Sequence, residues 1–359
     1  MLRPTTEEDV ADAIRSATGG LSIRGGNTRG PEPQGDPLTT TGLSGITLYE
    51  PGALTIVVKA GTPVAQIEAA LSAENQILAF EPMDHRALLG TTGEPTTGGV
   101  IATNTSGPRR VQVGAARDFL LGVRFVDGTG TILKNGGRVM KNVTGYDLAR
   151  LMCGAHGTLG VLTEVSLKTL PSREANATLI YPDMAITAAA QLFAVVMKSP
   201  YEVSGAARLP DGRALIRLEG FADQVAYRTQ RLTETLADFG TPEIDTDPAI
   251  WRDIRDVTAF AGKAGDIWRL SITPSDLPRT AEAVGGEILT DWAGGRLWIL
   301  TAPGTDLRAK LSGIPGHATL IRGTGHPRFH PEPAPLARMA ANLRAKFDPR
   351  GILNPGLMG

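Results

Sequence analysis

Cysteine is almost missing from this chain: Cys153 is the only one in 359 residues. One thiol can form neither an internal disulfide nor a Cys-ligated iron–sulfur cluster, so a redox cofactor held here would have to pass its electrons to an outside acceptor. Histidine is missing before His85. Neither sign of charge is in excess, and a formal net charge of −1 gives no global attraction to nucleic acid or acidic lipid. No apolar run approaches the ~20 residues of a membrane span, and the opening Met1-Leu2-Arg3-Pro4-Thr5-Thr6-Glu7-Glu8-Asp9 is acidic where a secretory leader is basic and apolar. A cytoplasmic chain with no direct membrane span is the expectation. Tandem repeats, low-complexity tracts and basic-aromatic stripes are absent as well, and no nucleic-acid partner is expected.

Glycine is what the chain has in plenty, 43 residues, roughly 12 % against a typical ~7 %. Two glycine-rich turns stand about seventy residues apart: Arg24-Gly25-Gly26-Asn27-Thr28, and Thr97-Gly98-Gly99-Val100-Ile101-Ala102-Thr103-Asn104-Thr105-Ser106-Gly107. Consecutive glycines let backbone N–H groups converge on an anion without interference from Cβ. Two such nests suit a diphosphate, although glycine pairs also make plain turns. No long helix opens at Gly26, so the first turn is not that of a dinucleotide Rossmann unit.

At this length two domains are the expectation. In the first, Thr6 can cap a helix over Asp9 to Ala17, and Leu21-Ser22-Ile23 reads as a strand feeding the first glycine turn. Thr55 to Ala60 is a β-branched strand, and Thr62 with Pro63 starts a helix whose Val64, Ile67, Ala70 and Leu71 share a face. Gln76 to Phe80 and Gly122 to Val126 are further strands, and Asp127-Gly128-Thr129-Gly130 is a hairpin turn. Pro171-Ser172-Arg173 breaks the pattern. Beyond it, strands at Ala214 to Leu218, Ile267 to Ile272 and Leu297 to Leu300 alternate with helices at Val225 to Phe239 and Pro278 to Val284, as in an antiparallel sheet with helices on one side. A last helix spans Pro335 to Lys346. The reading is α+β, divided at 1–171, 172–333 and 334–359.

A third segment joins the two turns: Val139-Met140-Lys141-Asn142-Val143-Thr144-Gly145-Tyr146-Asp147-Leu148, followed by Gly154-Ala155-His156-Gly157-Thr158-Leu159-Gly160-Val161-Leu162-Thr163-Glu164-Val165. In this order the motifs resemble the FAD-binding domain shared by vanillyl-alcohol oxidase and p-cresol methylhydroxylase, the PCMH type. Within that family, Ser106-Gly107-Pro108-Arg109-Arg110 and Val139 to Leu148 are most similar to a flavoprotein subunit of bacterial glycolate dehydrogenases. The ending Phe347-Asp348-Pro349-Arg350-Gly351-Ile352-Leu353-Asn354-Pro355-Gly356 also matches.

The resemblance implies a two-lobed FAD domain, an α+β cap over the flavin, and a tail returning to the FAD domain. Gly25, Gly26, Asn27 and Thr28 would meet one phosphate of FAD, and Gly98, Gly99 and Thr103, beside Thr97, Ala102 and Gly107, the other. Arg24, Arg109 and Arg110 could offset charge, a solvated surface position being the favoured alternative for the last two. Gly157, Gly160, Val161 and Leu162 would lie against adenine or flavin, and Pro82 stands near the family's turn beside the flavin, though in a different local order. Many members attach flavin through a histidine near the first turn; with none before His85, non-covalent FAD is expected. The family's catalytic paralogue carries a cap motif of His, Gly-Asp-Gly-Asn and a second His, whereas here Pro315-Gly316-His317-Ala318-Thr319-Leu320-Ile321-Arg322 departs after its first histidine. His326 and His330 are followed by Pro327 and Pro331, which disfavours a helical metal pair, and no metal is expected. Arg269 and His317 are the candidates for binding a 2-hydroxy-acid carboxylate and moving its proton, with a strand-edge charge and a structural histidine as the alternatives. The implied partners are a paralogous FAD-binding catalytic subunit and an iron–sulfur subunit.

Overall fold

The structure is a computed structural model, and it describes residues 1–29, 34–138 and 145–358; Val139 to Thr144 of the third motif lie outside the described residues. Thr6 caps the helix Glu7–Ser16 in a reciprocal box with Asp9, which satisfies amides that the first helical turn leaves open. The strand Leu21–Arg24 pairs in parallel with Asp36–Thr39 and runs directly into Gly25. Beside it lies a five-stranded antiparallel sheet in the order Ile46–Glu50, Thr55–Lys59, Val161–Lys168, Leu120–Val126, Ile132–Gly136. The helices Val64–Ser72 and Thr97–Ala102 bury Ile67, Leu71, Val100 and Ile101 against Ile56, Val58, Phe125 and Val165. The first of these starts one residue later than its sequence suggests. Pro63 takes the cap position, while the Thr62 hydroxyl donates to the Lys59 carbonyl at 2.7 Å and accepts from the Gly45 amide at 2.9 Å.

After Leu170–Pro171 the chain enters an eight-stranded antiparallel sheet, ordered Glu243–Asp245, Ala175–Tyr181, Ala214–Gly220, Gly205–Arg208, Glu287–Asp291, Arg296–Thr301, Asp266–Ile272, Gly316–Arg322. Alternation of side chains across a strand splits its residues between two cores. Trp268, Leu270 and Leu297 pack with Leu192, Phe193, Leu232 and Val284 of the covering helices. On the opposite face, Ile267, Trp298 and Ile321 pack with Met83 and Leu88 of the first half and with Trp251 and Ile254. The face carrying Arg217, Arg269 and Arg296 therefore looks toward the glycine turns. The helix Ala334–Phe347 leads the tail back, where the Leu21 amide donates to the Ile352 carbonyl at 2.7 Å and the Asn354 amide to the Leu21 carbonyl at 3.0 Å.

The two halves are joined by buried charges. Arg217 clasps Glu81 with two donors at 2.8 and 3.0 Å, and Arg109 pairs with Glu219 at 2.5 Å while receiving Glu81 at 3.4 Å. Arg109 is thus not the solvated surface cation its sequence context suggests: it is 5 % exposed, and its partner Glu219 lies 110 positions away in the chain. Trp292 Nε1 adds a bond to the Gly107 carbonyl at 2.9 Å, and Arg296 Nη1 one to the Ser106 carbonyl at 2.7 Å.

Burial pushes the Glu81 pKa up, but Arg217 and Arg109 outweigh it and hold the carboxyl below its ordinary 4.5. A carboxylate depressed on folding contributes stability that is present above its unfolded pKa and is lost as pH falls through the folded value. Glu81→Gln leaves two buried guanidiniums sharing one carboxylate, and it should cost about 3 to 5 kcal/mol. The variant should also lose part of the acid dependence of stability below pH 4.5; denaturant unfolding across that range checks both effects.

Candidate functional site

A partly open cleft of ≈ 940 Å³ lies where the glycine turns, the cap and the returning tail meet. Its walls include Arg24, Gly25, Gly26, Asn27 and Thr28 from the first turn, Gly98, Gly99, Ala102 and Thr103 from the second, and Gly157, Gly160 and Leu162 from the third segment. Twelve residues that the sequence singles out are thereby brought together. Ile23, Arg29, Thr40, Thr96, His156, Arg328, Asn354 and Leu357 complete the lining.

The two turns differ in what they can offer an anion. Among the described residues, no backbone acceptor engages the amides of Gly26 and Thr28, and unpaired amides of this kind are what an anion nest presents. In the second turn the Gly98 amide donates to the Ala60 carbonyl at 2.7 Å, and the Gly99 amide to Thr96 Oγ1 at 3.3 Å. The second backbone nest expected from the sequence is corrected here, because the Gly98 amide is spent on Ala60 and the Gly99 amide on Thr96, the cap of the helix Thr97–Ala102. A guanidinium replaces them: Arg29 Nη1 donates to the Gly99 carbonyl and, at 2.6 Å, to Thr103 Oγ1.

The glycines also divide by purpose. A Cβ on Gly26 would stand 1.6 Å from the Glu94 carbonyl oxygen, and one on Gly98 would stand 2.7 Å from the Ala60 Cβ. Both are glycine because backbone must approach backbone. At Gly99 a Cβ meets only Thr96 Oγ1 at 3.2 Å and Arg29 Nη1 at 3.6 Å, so a larger side chain there would enter the cleft. Gly157 has φ +73° and Gly160 abuts the Phe125 ring.

Several expected contacts lie off the cleft wall. Thr97 is buried, its amide and hydroxyl both donating to the Thr62 carbonyl at 3.0 Å. Val161 is buried beneath the wall with Val126 and Ile14. Pro82 lines a neighbouring recess with Met83 and Arg255. Gly107 serves the junction with the cap through its carbonyl. Arg110 stacks on Trp292 at 4.3 Å, a ring that also carries Arg296 at 4.1 Å. His317 is exposed at the start of its strand, paired with Ser271 and 5.2 Å from the His330 ring.

Arg269 sits on an interior strand, between Trp298 and Thr319, so it is no edge charge. Burial, followed by Arg296, Arg328 and Arg110, pushes its pKa down to about 10. Arg29 is likewise lowered to about 10 by burial, despite Asp84, with Arg328 and Arg269 adding to the effect. Two imidazoles share this positive field. His85 Nδ1 lies 3.4 Å from Arg29 Nε, and burial followed by Arg29 keeps the ring well below its usual pKa. His156, edge-on to Phe329 at 4.9 Å, is pushed down to about 3 by burial and then by Arg328, Arg269 and Arg29. Burial and the neighbouring guanidiniums thus favour the neutral form of both rings.

Comparison with known proteins gives this geometry its family. Residues 1–136 match the family described as FAD binding domain. The chain is 37 % identical to the glycolate oxidase subunit GlcE of Escherichia coli K12, across 98 % of its own length and 95 % of that protein's. The chain belongs to the GlcE family. Other relatives of the family include the uncharacterized FAD-linked oxidoreductase Rv2280 of Mycobacterium tuberculosis, 25 % identical over 99 % of this chain and 90 % of that one. The solved alkyldihydroxyacetonephosphate synthase aligns with a TM-score of 0.70 at 14 % identity, covering 98 % of this chain and 76 % of that one, which establishes the shared fold. It is the PCMH-type fold, and its cofactor is FAD. The cleft fits that cofactor, with open amides on one wall and a guanidinium on the other.

Gly99→Leu should therefore cut FAD content at least tenfold while leaving the melting temperature of the FAD-free protein nearly unchanged. Gly26→Ala should lower the melting temperature itself, since the new Cβ has no room beside Glu94. Flavin absorbance per protein and thermal unfolding of the two variants separate these effects.

Proposed function

We propose that this chain is the FAD-binding subunit of a multisubunit 2-hydroxy-acid dehydrogenase that converts glycolate to glyoxylate. The observation that carries the reading is the cleft that both glycine turns, the cap and the tail enclose, in a chain that aligns with a glycolate oxidase subunit over nearly its full length. Bound FAD supplies the acceptance of two electrons from the substrate. The chain's own part is to hold and orient: the amides of Gly26 and Thr28 take one phosphate, and Arg29 with Thr103 takes the other. Asn354 ties the walls together, accepting from the Ile23 amide at 2.6 Å and donating to the His156 carbonyl at 2.8 Å. Arg269 is the group assigned to the substrate carboxylate.

The single cysteine, buried and with its thiol pushed up to about 12 by burial, offers no electron exit. An iron–sulfur subunit is the partner that fits this need, and a paralogous FAD-binding catalytic subunit completes the complex. Over 27 % of its length the chain is 43 % identical to the glycolate oxidase subunit GlcD of Bacillus subtilis, which supports a partner built on the same motifs. Among the described residues no helix is long and apolar enough to cross a membrane; we place the subunit in the cytoplasm, with any membrane contact made through its partners.

Two outcomes are expected of the purified protein. Acid precipitation should leave the flavin in the supernatant, because no histidine precedes His85 to attach it; flavin in the pellet would overturn the non-covalent assignment. Affinity purification from the native source should recover a cysteine-rich iron–sulfur protein, and anaerobic glycolate should bleach the flavin of that assembly. A lone chain with full turnover on artificial acceptors would argue against the multisubunit reading.

A further inference from the structure

One helix stands partly clear of the body it belongs to. Along Ala334–Phe347 the apolar residues Leu336, Met339, Leu343 and Phe347 fall on one stripe of the 3.6-residue repeat. Only the C-terminal end of that stripe is used: Leu343 and Phe347 pack against the first core, with the Phe347 ring 6.2 Å from that of Phe125. Every residue from Pro331 to Met339 is exposed, Leu336 at 53 % and Met339 at 67 %. Pro333 at the cap and Pro335 in the first turn preset the entry of the helix, but they bury nothing. A helix this short is marginal in water unless an apolar face is packed, and the exposed half can gain that packing only from another molecule.

We propose that the exposed half of this helix, with Leu336 and Met339 as its anchors, is the docking surface for the electron-accepting iron–sulfur subunit, which meets it with an apolar groove rimmed by acidic side chains. The proposal rests on the multisubunit reading above and adds where that partner binds. The helix dictates the chemistry of the partner: it carries Arg338, Arg344 and Lys346 and no acid, so charge complementarity calls for Asp and Glu on the other side. Two anchors three positions apart suit a groove that receives a helix. A second copy of this chain would set like charges against each other in a two-fold contact between these helices. A bilayer fits poorly by shape. The stripe that holds Leu336 and Met339 is the one that turns Leu343 and Phe347 onto the first core, so the anchors face along the body into the angle under the helix, which a protein segment can enter and a flat lipid surface cannot. Position points to the electron acceptor. Arg328 lines the cofactor cleft just before the helix, and Asn354 and Leu357 line it soon after, so a subunit gripping the helix stands beside the cofactor of a chain whose single thiol is buried.

The test uses the full chain loaded with FAD and the iron–sulfur protein recovered with it from the native source, recognised by its iron content. Because Cys153 is buried, Met339→Cys supplies one accessible thiol. A photoactivatable maleimide attached there should cross-link the iron–sulfur protein within a peptide rich in Asp and Glu. Leu336→Glu combined with Met339→Glu should weaken the Kd between the two proteins at least tenfold, with the FAD content and melting temperature of the isolated chain unchanged, since both side chains are exposed. Arg338→Glu combined with Lys346→Glu should weaken it too and remove most of its dependence on salt. Unchanged affinity in both variants would overturn the docking surface, as would cross-links confined to a second copy or to the paralogous flavoprotein. Binding of the wild-type chain to phosphatidylserine vesicles that the first variant loses would overturn it in favour of a membrane. A lower melting temperature in the first variant would also overturn it, by showing that the face is packed within this chain. A native assembly that holds no iron–sulfur protein fails the multisubunit reading itself.

Discussion

Two buried arginines, Arg109 from the first half and Arg217 from the cap, with the half-buried Glu81 and Glu219, fix how the two halves meet, and the cleft inherits its shape from that junction. The segment that supplies Glu81 also supplies His85, whose ring faces Arg29. The segment that supplies Arg109 follows the second glycine turn without a break. Moving the cap would therefore disturb the segments that carry both glycine walls. Buried ion pairs of this kind add little net stability over apolar contacts, but they punish misalignment. Here they act as a register between two independently packed cores.

The first half was largely legible from local sequence, because its signals are short-range. Thr6 with Asp9 reads as a cap, Thr55 to Lys59 as a β-branched strand and Asp127 to Gly130 as a turn, and each rests on neighbours within a few residues. The cap was less legible. Gly205–Arg208 carries three small residues in four, and Gly316–Arg322 opens on an exposed Gly-His pair, so neither shows the apolar alternation that marks a strand. Their place in the sheet is set by long-range pairing, which no window of sequence contains.

At the cleft the same division holds. Both glycine turns and the Gly157 to Leu162 segment were visible as motifs, and they reach one cavity. What the motifs concealed is which donors remain unspent. Gly98 and Gly99 look like a nest in sequence, yet Thr96 and Ala60 consume their amides, a fact that depends on the helix they start. Arg29 was within reach, since it directly follows the first turn. Arg328 was not: it comes from a proline-rich stretch with no periodicity, nearly three hundred positions from the arginine whose carbonyl it meets. His317 drew attention through a partial motif, while His156 occupies the cleft wall.

Charge placement shows why a formal net charge of −1 says so little about what this protein binds. Acids near the cleft are committed: Glu81 and Glu219 to the junction, Asp291 to Arg296, Asp84 to Arg86 at 2.8 Å. The cations Arg29 and Arg328 line a partly desolvated space, where a charge acts over a longer range than it does in bulk water. A near-neutral chain thus encloses a strongly positive cleft. The diphosphate of FAD meets that field and lowers the cost of leaving the arginines without counter-charges.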